Sequence, residues 1–284
     1  TRDLGLDSAG RVHAAGHEVR WLPAPGAAPA VAPGDQADAI TGQIADPSSE
    51  PPLDGRTASA NDAGSDLPVH AAWAGVDAER DATETVQALN GMRPSWVVVD
   101  HYAFDARWHR AVANALGARI AAIDDLADRD LAVDLLIDHN LHPDHRAKYD
   151  ARLPAGTPLL GGPRFALLGP AFGEAPRCAV QDEVRSIGIF LGGTDPTDLS
   201  PVALRACREV LGFGGDIEIA STRANPRHAA LQALAAQWPR TTVTLDQPDL
   251  AGFFARHDLQ IGAGGGAMWE RCCLGAPTLA LVTA

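Results

Sequence analysis

An α/β chain of two domains in tandem, each built on a parallel sheet, is the fold that the sequence predicts. Three observations carry it. The 284 residues are too many for one domain of ~150 residues and suit about two. Short apolar runs ending in a carboxylate alternate with amphipathic helical segments, as in parallel sheets with right-handed crossovers. A proline-rich stretch then interrupts the pattern, and the pattern restarts beyond it. Hydrophobic residues make up 46% of the chain, enough for true cores without disulfide staples or a structural metal.

The elements follow in order. Gly16 to Leu22 reads as a turn and a short strand. From about 23 to 70 the chain is rich in Pro, Ala, Gly, Asp and Ser without periodicity, which reads as a long surface loop. Asp81–Leu89 is helical, with Val86 and Leu89 on one face and Asn90-Gly91 as its stop. Trp96–Asp100 is an apolar run ending in a carboxylate, expected to be buried on both faces. A helix from Asp105 to Leu116 follows, with Asp105 as N-cap and Gly117 as stop. Arg119–Asp124 and Ala132–Asp138 are two further strands. Prolines at 154, 158, 163, 170 and 176 mark a connection, dividing the chain into domains 1–176 and 177–284. Beyond it, strands are expected at Ile187–Leu191, Asp216–Ala220, Thr242–Leu245, Leu259–Gly262 and Thr278–Val282. Helices are expected at Ser200–Leu211, Pro226–Gln237, Asp249–Arg256 and Ala267–Leu274. A cleft between the domains is the expected ligand site, since ligands of such sheets lie beyond the carboxyl ends of the strands.

Composition narrows the function. The formal charge of −13 argues against broad contact with a phosphate backbone, so no nucleic-acid partner is expected. No run of ~18 apolar residues is present, so no membrane insertion is expected. Thr1-Arg2-Asp3-Leu4 carries no apolar signal core, and a cytoplasmic location is expected. Cys178, Cys207, Cys272 and Cys273 have no CxxC spacing and read as small buried residues of a reducing compartment. The missing initial Met and the terminal apolar run at 279–284 read as cut ends.

Five stretches are candidates for chemistry. Ile261 to Arg271 reads as strand, glycine turn and helix start, so backbone N–H groups of Gly264, Gly265 and Gly266 can approach a phosphate while Glu270 reaches a ribose diol. The plainer reading is a tight turn without ligand. Leu191-Gly192-Gly193-Thr194-Asp195-Pro196 also follows a strand and opens a helix, so it faces the same cleft. Asp100-His101-Tyr102 ends a strand, where polar residues point into a ligand crevice. His and Asp suit acid–base work and Tyr suits orienting a hydroxyl. The plainer reading is a helix cap beside a surface histidine. Asp124-Asp125 with Asp128-Arg129 is either a carboxylate pair with one raised pKa or capping plus a surface ion pair, and the second is favoured. His139, His142 and His145 are spaced like metal ligands, but Pro143 breaks the helix that would align them, and no metal is expected. Neither GxSxG nor a P-loop occurs.

Taken together and in order, these motifs resemble a known family. They are Val99-Asp100-His101-Tyr102, Asp105-Ala106-Arg107-Trp108, Ile123-Asp124-Asp125-Leu126-Ala127-Asp128-Arg129, Asp134-Leu135-Leu136 with Asn140, and Leu160-Gly161-Gly162-Pro163-Arg164-Phe165. They continue with Gly192-Gly193-Thr194-Asp195-Pro196, then Gly262-Ala263-Gly264-Gly265 with Trp269-Glu270-Arg271-Cys272-Cys273-Leu274-Gly275. The series is similar to the UDP-2,4-diacetamido-2,4,6-trideoxy-beta-L-altropyranose hydrolases of pseudaminic acid biosynthesis, from about Arg2 to Ala284 apart from the long loop.

The resemblance implies a GT-B-like fold, two Rossmann-like domains facing a cleft. It implies an enzyme that hydrolyses a UDP-sugar by inverting attack of water at the anomeric carbon, with no cofactor and no metal. Asp100, His101, Tyr102 and Asn140 would line the sugar side, and Gly192, Gly193, Asp195, Gly264, Gly265, Gly266 and Glu270 the UDP side. Departures from the family's pattern accompany it. The family's catalytic His, in a G-x-G-H-x-x-R loop, is not matched, and the first strand–helix unit and the terminal helix are expected to be missing. His17, in Gly16-His17-Glu18-Val19-Arg20, mimics that loop by spelling, and with His101 and Tyr102 it is a candidate catalytic residue. The family's Gly-Gly-Ser-Thr has become Gly264-Gly265-Gly266-Ala267, and its Leu-Leu-Arg-Pro-Glu-Phe has become Leu167-Leu168-Gly169-Pro170-Ala171-Phe172. A GT-B glycosyltransferase, or a nucleotide-sugar binder without turnover, is the alternative expectation.

Overall fold

The structure, a computed structural model, describes residues 12–25, 67–89 and 91–282. The chain divides into two units, Thr1–Phe165 and Ala166–Ala284. The division lies before the expected one at 176/177, because Phe172 is buried with Phe253, Phe254 and Leu274 in a core of the second unit. Most of the expected 23–70 loop falls outside the described residues, and its last described part leads into a 3-10 turn at Ala71–Ala74.

The first unit contains α1 (Ala78–Ala88), β1 (Trp96–Val99), α2 (Ala106–Leu116), β2 (Arg119–Ile123), β3 (Leu135–Asp138), α3 (His145–Lys148) and β4 (Leu159–Gly161). Its strands lie in the order β1-β2-β3-β4, and each neighbouring pair is parallel. Local chemistry explains the helix ends. The Asp77 carboxylate accepts the Arg80 N–H at 2.8 Å, and Asp105 accepts the Arg107 N–H at 2.9 Å. Gly117 ends α2 at φ 64°, a left-handed conformation that favours glycine. The two helices join through the buried Trp108, whose indole N–H donates to Asp81 at 3.0 Å, and Phe104 stacks on its ring at 4.6 Å. Val112, Ile120, Leu136 and Tyr149 complete this core without exposed surface.

Several expectations are corrected in this unit. The turn at Gly16 forms, at φ 83°, but residues 17–24 make no strand. The run from Trp96 is not buried on both faces: β1 is the edge of the described sheet, and Val98 is 64% exposed. The third strand starts at Leu135 rather than Ala132, because the Asp134 carboxylate is occupied by the Ile120 N–H at 2.8 Å. The proline-rich middle contains a strand, β4, between Pro158 and Pro163. The Pro158 carbonyl accepts the Leu136 N–H at 3.0 Å, so proline joins the ladder as an acceptor.

The second unit contains α4 (Pro170–Glu174), β5 (Ser186–Phe190), α5 (Leu199–Arg205), β6 (Asp216–Ser221), α6 (His228–Ala235), β7 (Thr241–Leu245), α7 (Ala251–Ala255), β8 (Leu259–Ala263), α8 (Gly266–Leu274) and β9 (Thr278–Leu281). A π-helical turn, Ala206–Val210, extends α5. The sheet order is β7-β6-β5-β8-β9, again wholly parallel. Ile189, Leu204, Ile219, Phe253 and Phe254 are fully buried. The α/β class with two parallel sheets is therefore as expected. Cys207 is buried as expected, whereas Cys272 is exposed on α8 and corrects the reading of all four cysteines as buried. Among the described residues no helix is long and apolar enough to cross a membrane.

Candidate functional site

The strand order of the second unit marks its site. From the central β5 the chain runs outward to β6 and β7, then returns to β8 and β9 on the other side. The order reverses between β5 and β8, and the crevice outside the carboxyl ends of such a pair is where open α/β sheets bind ligands. Phe190 pairs with Gly262, so the loops after β5 and β8 leave the sheet at the same level. These are the two glycine loops.

Each loop is built by local chemistry. Gly192 adopts φ 95° and Gly265 φ 71°, positions where a side chain is strained. The Gly193 carbonyl accepts the Thr222 hydroxyl at 2.9 Å, and a Cβ on Gly193 would meet Thr222 Cγ2 at 3.0 Å. The end of β6 thus pins the first loop. Asp195 is buried, and its carboxylate accepts the N–H groups of Leu199 at 3.1 Å and Ser200 at 2.8 Å. That carboxylate builds the start of α5. Gly264, Gly265 and Gly266 are exposed, and a Cβ on any of them would face open space. No side chain caps the N-terminus of α8, which begins at Gly266. Bare glycine backbone, open space and the positive end of a helix make a cradle for an anion. Glu270 is half-buried one turn into the helix.

In the first unit, three strand ends meet through hydrogen bonds. The Tyr102 hydroxyl, after β1, donates to Asp125 at 2.6 Å, and the Asn140 amide, after β3, donates to the other oxygen of Asp125. Burial first, then the bond to Asp125, pushes the Tyr102 hydroxyl well above its ordinary range. It is therefore a fixed donor rather than a base. Asp100 is exposed. His101 is half-buried, its Nδ1 accepts the Ala103 N–H at 3.1 Å, and burial lowers its pKa so that the ring is neutral. His17 is exposed after the Gly16 turn.

The residues from β2 differ from their favoured reading. Arg129 is buried, not on the surface, and spans Asp124 at 2.7 Å and Asp128 at 2.8 Å. Asp124 also takes the Leu126 and Ala127 N–H groups, so it is an internal anchor. Lys148 pairs with the buried Asp138 at 2.7 Å and donates to the Asp125 carbonyl at 2.6 Å. Among the described residues, no group of three His, Cys, Asp or Glu side chains could hold a metal ion. His145 is instead bonded to the Asn140 carbonyl at 2.8 Å and packs beneath Gly161.

Two residues near Tyr102 escaped the sequence reading. The rings of His70 and Trp73 lie 4.4 Å apart, at 5.9 Å and 6.1 Å from the Tyr102 ring. They come from a stretch without periodicity, and only their aromatic character in a polar region could have drawn notice.

The chain is similar to the spore coat polysaccharide biosynthesis protein SpsG of Bacillus subtilis (strain 168), at 29% identity over 127 residues. The match covers 44% of this chain and 38% of that protein. Similar solved structures include the S. aureus MnaA–UDP co-structure, at 13% identity and TM-score 0.47, covering 72% of this chain and 61% of that one. Acinetobacter baumannii MurG is another, at 15% identity and TM-score 0.42, covering 71% and 56%. The chain thus spans less than two thirds of each of these relatives. No protein-family model matches it.

Proposed function

We propose that this chain acts on a UDP-linked sugar, and that the reaction is hydrolysis to UDP and a free 2,4-diacetamido-2,4,6-trideoxy hexose. One observation carries the reading: two glycine loops leave β5 and β8 in register at the point where the strand order reverses. A diphosphate leaving group gains negative charge as its bond to the anomeric carbon breaks. Backbone N–H groups aimed at it stabilise that charge without reorganising. The N-terminus of α8 supplies such groups, and Glu270 is assigned to the ribose hydroxyls. The net charge of −13 does not oppose this, because the binding groups are local.

In the first unit, Tyr102, Asp125 and Asn140 are assigned to the sugar. A carboxylate and an amide fixed by each other present acceptors and donors that match hydroxyl and acetamido groups. Of the three candidate catalytic residues, Tyr102 is held as a donor, the Nδ1 of His101 is occupied, and His17 sits on an exposed turn. The similarity to a polysaccharide biosynthesis protein supports the class of substrate.

The test is to incubate the chain with the UDP-linked diacetamido sugar and follow release of UDP. Release in water alone, with inversion, is the expected result. Release only when an acceptor is added overturns hydrolysis in favour of sugar transfer. Saturable UDP binding without release shows a binder.

A further inference from the structure

Beneath the glycine turn lies a charge that the reading above does not use. Arg271, on α8, has no exposed surface. Its Nη2 donates to the Ala263 carbonyl, the residue that opens the turn. Its Nε and Nη1 have no hydrogen-bond partner, and it makes no ion pair among the described residues. The guanidinium is pressed against Gly262: a Cβ there would lie 2.6 Å from Cζ. The face of Phe254 lies 5.6 Å away, and Met268 Sδ 4.0 Å from Nη2.

Two other arginines follow β6 in this unit, and both are committed. Arg223 pairs with Asp246, and Arg227 with Asp198 at 3.0 Å. Among these three, Arg271 alone makes no ion pair with a described residue; its chain neighbour Glu270 acts on it electrostatically but makes no salt bridge with it, so the charge is only partly compensated. A buried cation without a counter-ion is costly, and an arginine does not escape by losing its proton. A charge held this way, under an open helix N-terminus lined by bare glycine, is matched when an anion occupies the turn.

We propose that Arg271 is the positioning residue of the anion site: anchored on the Ala263 carbonyl, it fixes the glycine turn from below and supplies the positive charge that a bound diphosphate compensates. This rests on the reading that the turn takes the diphosphate of UDP. Arg271 acts through the backbone of Gly262 and Ala263 and need not touch the ligand. The anion and the guanidinium are thereby linked, so a bound anion stabilises the second unit through this residue.

The experiment titrates the full chain and its Arg271→Met and Arg271→Lys variants with UDP, inorganic pyrophosphate and uridine, at two salt concentrations. For wild type, UDP and pyrophosphate are expected to bind and to raise the melting temperature. Arg271→Met is expected to weaken both anions at least tenfold, to leave uridine unchanged and to flatten the salt dependence. Without ligand it should melt at or above wild type, because a buried charge held without an ion pair has been removed. Arg271→Lys, which keeps the charge, should retain more anion affinity than the Met variant. Equal affinity of wild type and Arg271→Met for both anions overturns the inference and leaves the UDP reading standing. A ligand-free Met variant melting more than about 5 °C lower shows the charge to be compensated inside the protein, and also overturns it. Wild type that binds neither anion overturns both.

Discussion

At the residue scale, single side chains in this protein carry distinct kinds of information. Gly262 is set by space rather than by backbone conformation, since a methyl there would strike the Arg271 guanidinium. Gly262→Ala is expected to destabilise the protein by about 1–3 kcal/mol, read from urea unfolding. An unchanged midpoint would mean the guanidinium moves freely. Tyr102→Phe removes one donor to Asp125 and should cost only about 1 kcal/mol of stability. If Tyr102 orients the sugar, the same change lowers the rate of UDP release at least tenfold, and a rate equal to wild type contradicts that assignment. His109 gives a pH signature. Burial lowers its pKa to about 4, below the ordinary value of 6.5. In the folded state the ring stays neutral, and its Nδ1 accepts the Ala132 N–H at 3.4 Å. Between pH 6.5 and 4 the unfolded chain binds a proton there that the native chain does not, so stability falls as pH falls through that window. The loss is on the order of 3 kcal/mol by pH 4. Melting curves of His109→Gln should show a flatter pH dependence in that range; a parallel dependence would contradict the assignment.

At the scale of elements, what the sequence makes legible depends on how local the cause is. The helix at Ala106–Leu116 was readable because Asp105 and Gly117 bracket it, and both act within one turn. Asp105→Ala is expected to cost about 1 kcal/mol through loss of that cap, measured by thermal unfolding. The five strands of the second unit were readable because each is a short apolar run flanked by turn residues. Strand β4 was hidden, since three residues between prolines show no periodicity and the pairing comes from β3, a distant part of the chain. The exposure of Val98 was hidden for the same reason: position at a sheet edge is a property of the assembled sheet. In the candidate site, the glycine loops were legible as composition. Their alignment at one level was not, because it follows from the pairing of Phe190 with Gly262. Likewise nothing in the sequence sets Asp125 between Tyr102 and Asn140, or makes Arg129 an internal bridge rather than a surface ion.

At the scale of the whole molecule, each unit has chemistry of its own. The first gathers fixed carboxylates, an amide and a tyrosine hydroxyl at the ends of β1, β2 and β3. The second offers open glycine backbone at the ends of β5 and β8. The assignment of the diphosphate to the second unit is the claim on which the rest depends. The measurement that tests it most directly is calorimetric titration of UDP into the full chain and into Gly265→Ala, whose φ of 71° and ψ of −158° lie in a region almost reserved for glycine, so that a side chain there costs about 1–3 kcal/mol. Saturable UDP binding by wild type, weakened at least tenfold in a variant that remains folded, is the predicted result. Absence of UDP binding by wild type, or equal affinity in the two proteins, would contradict it.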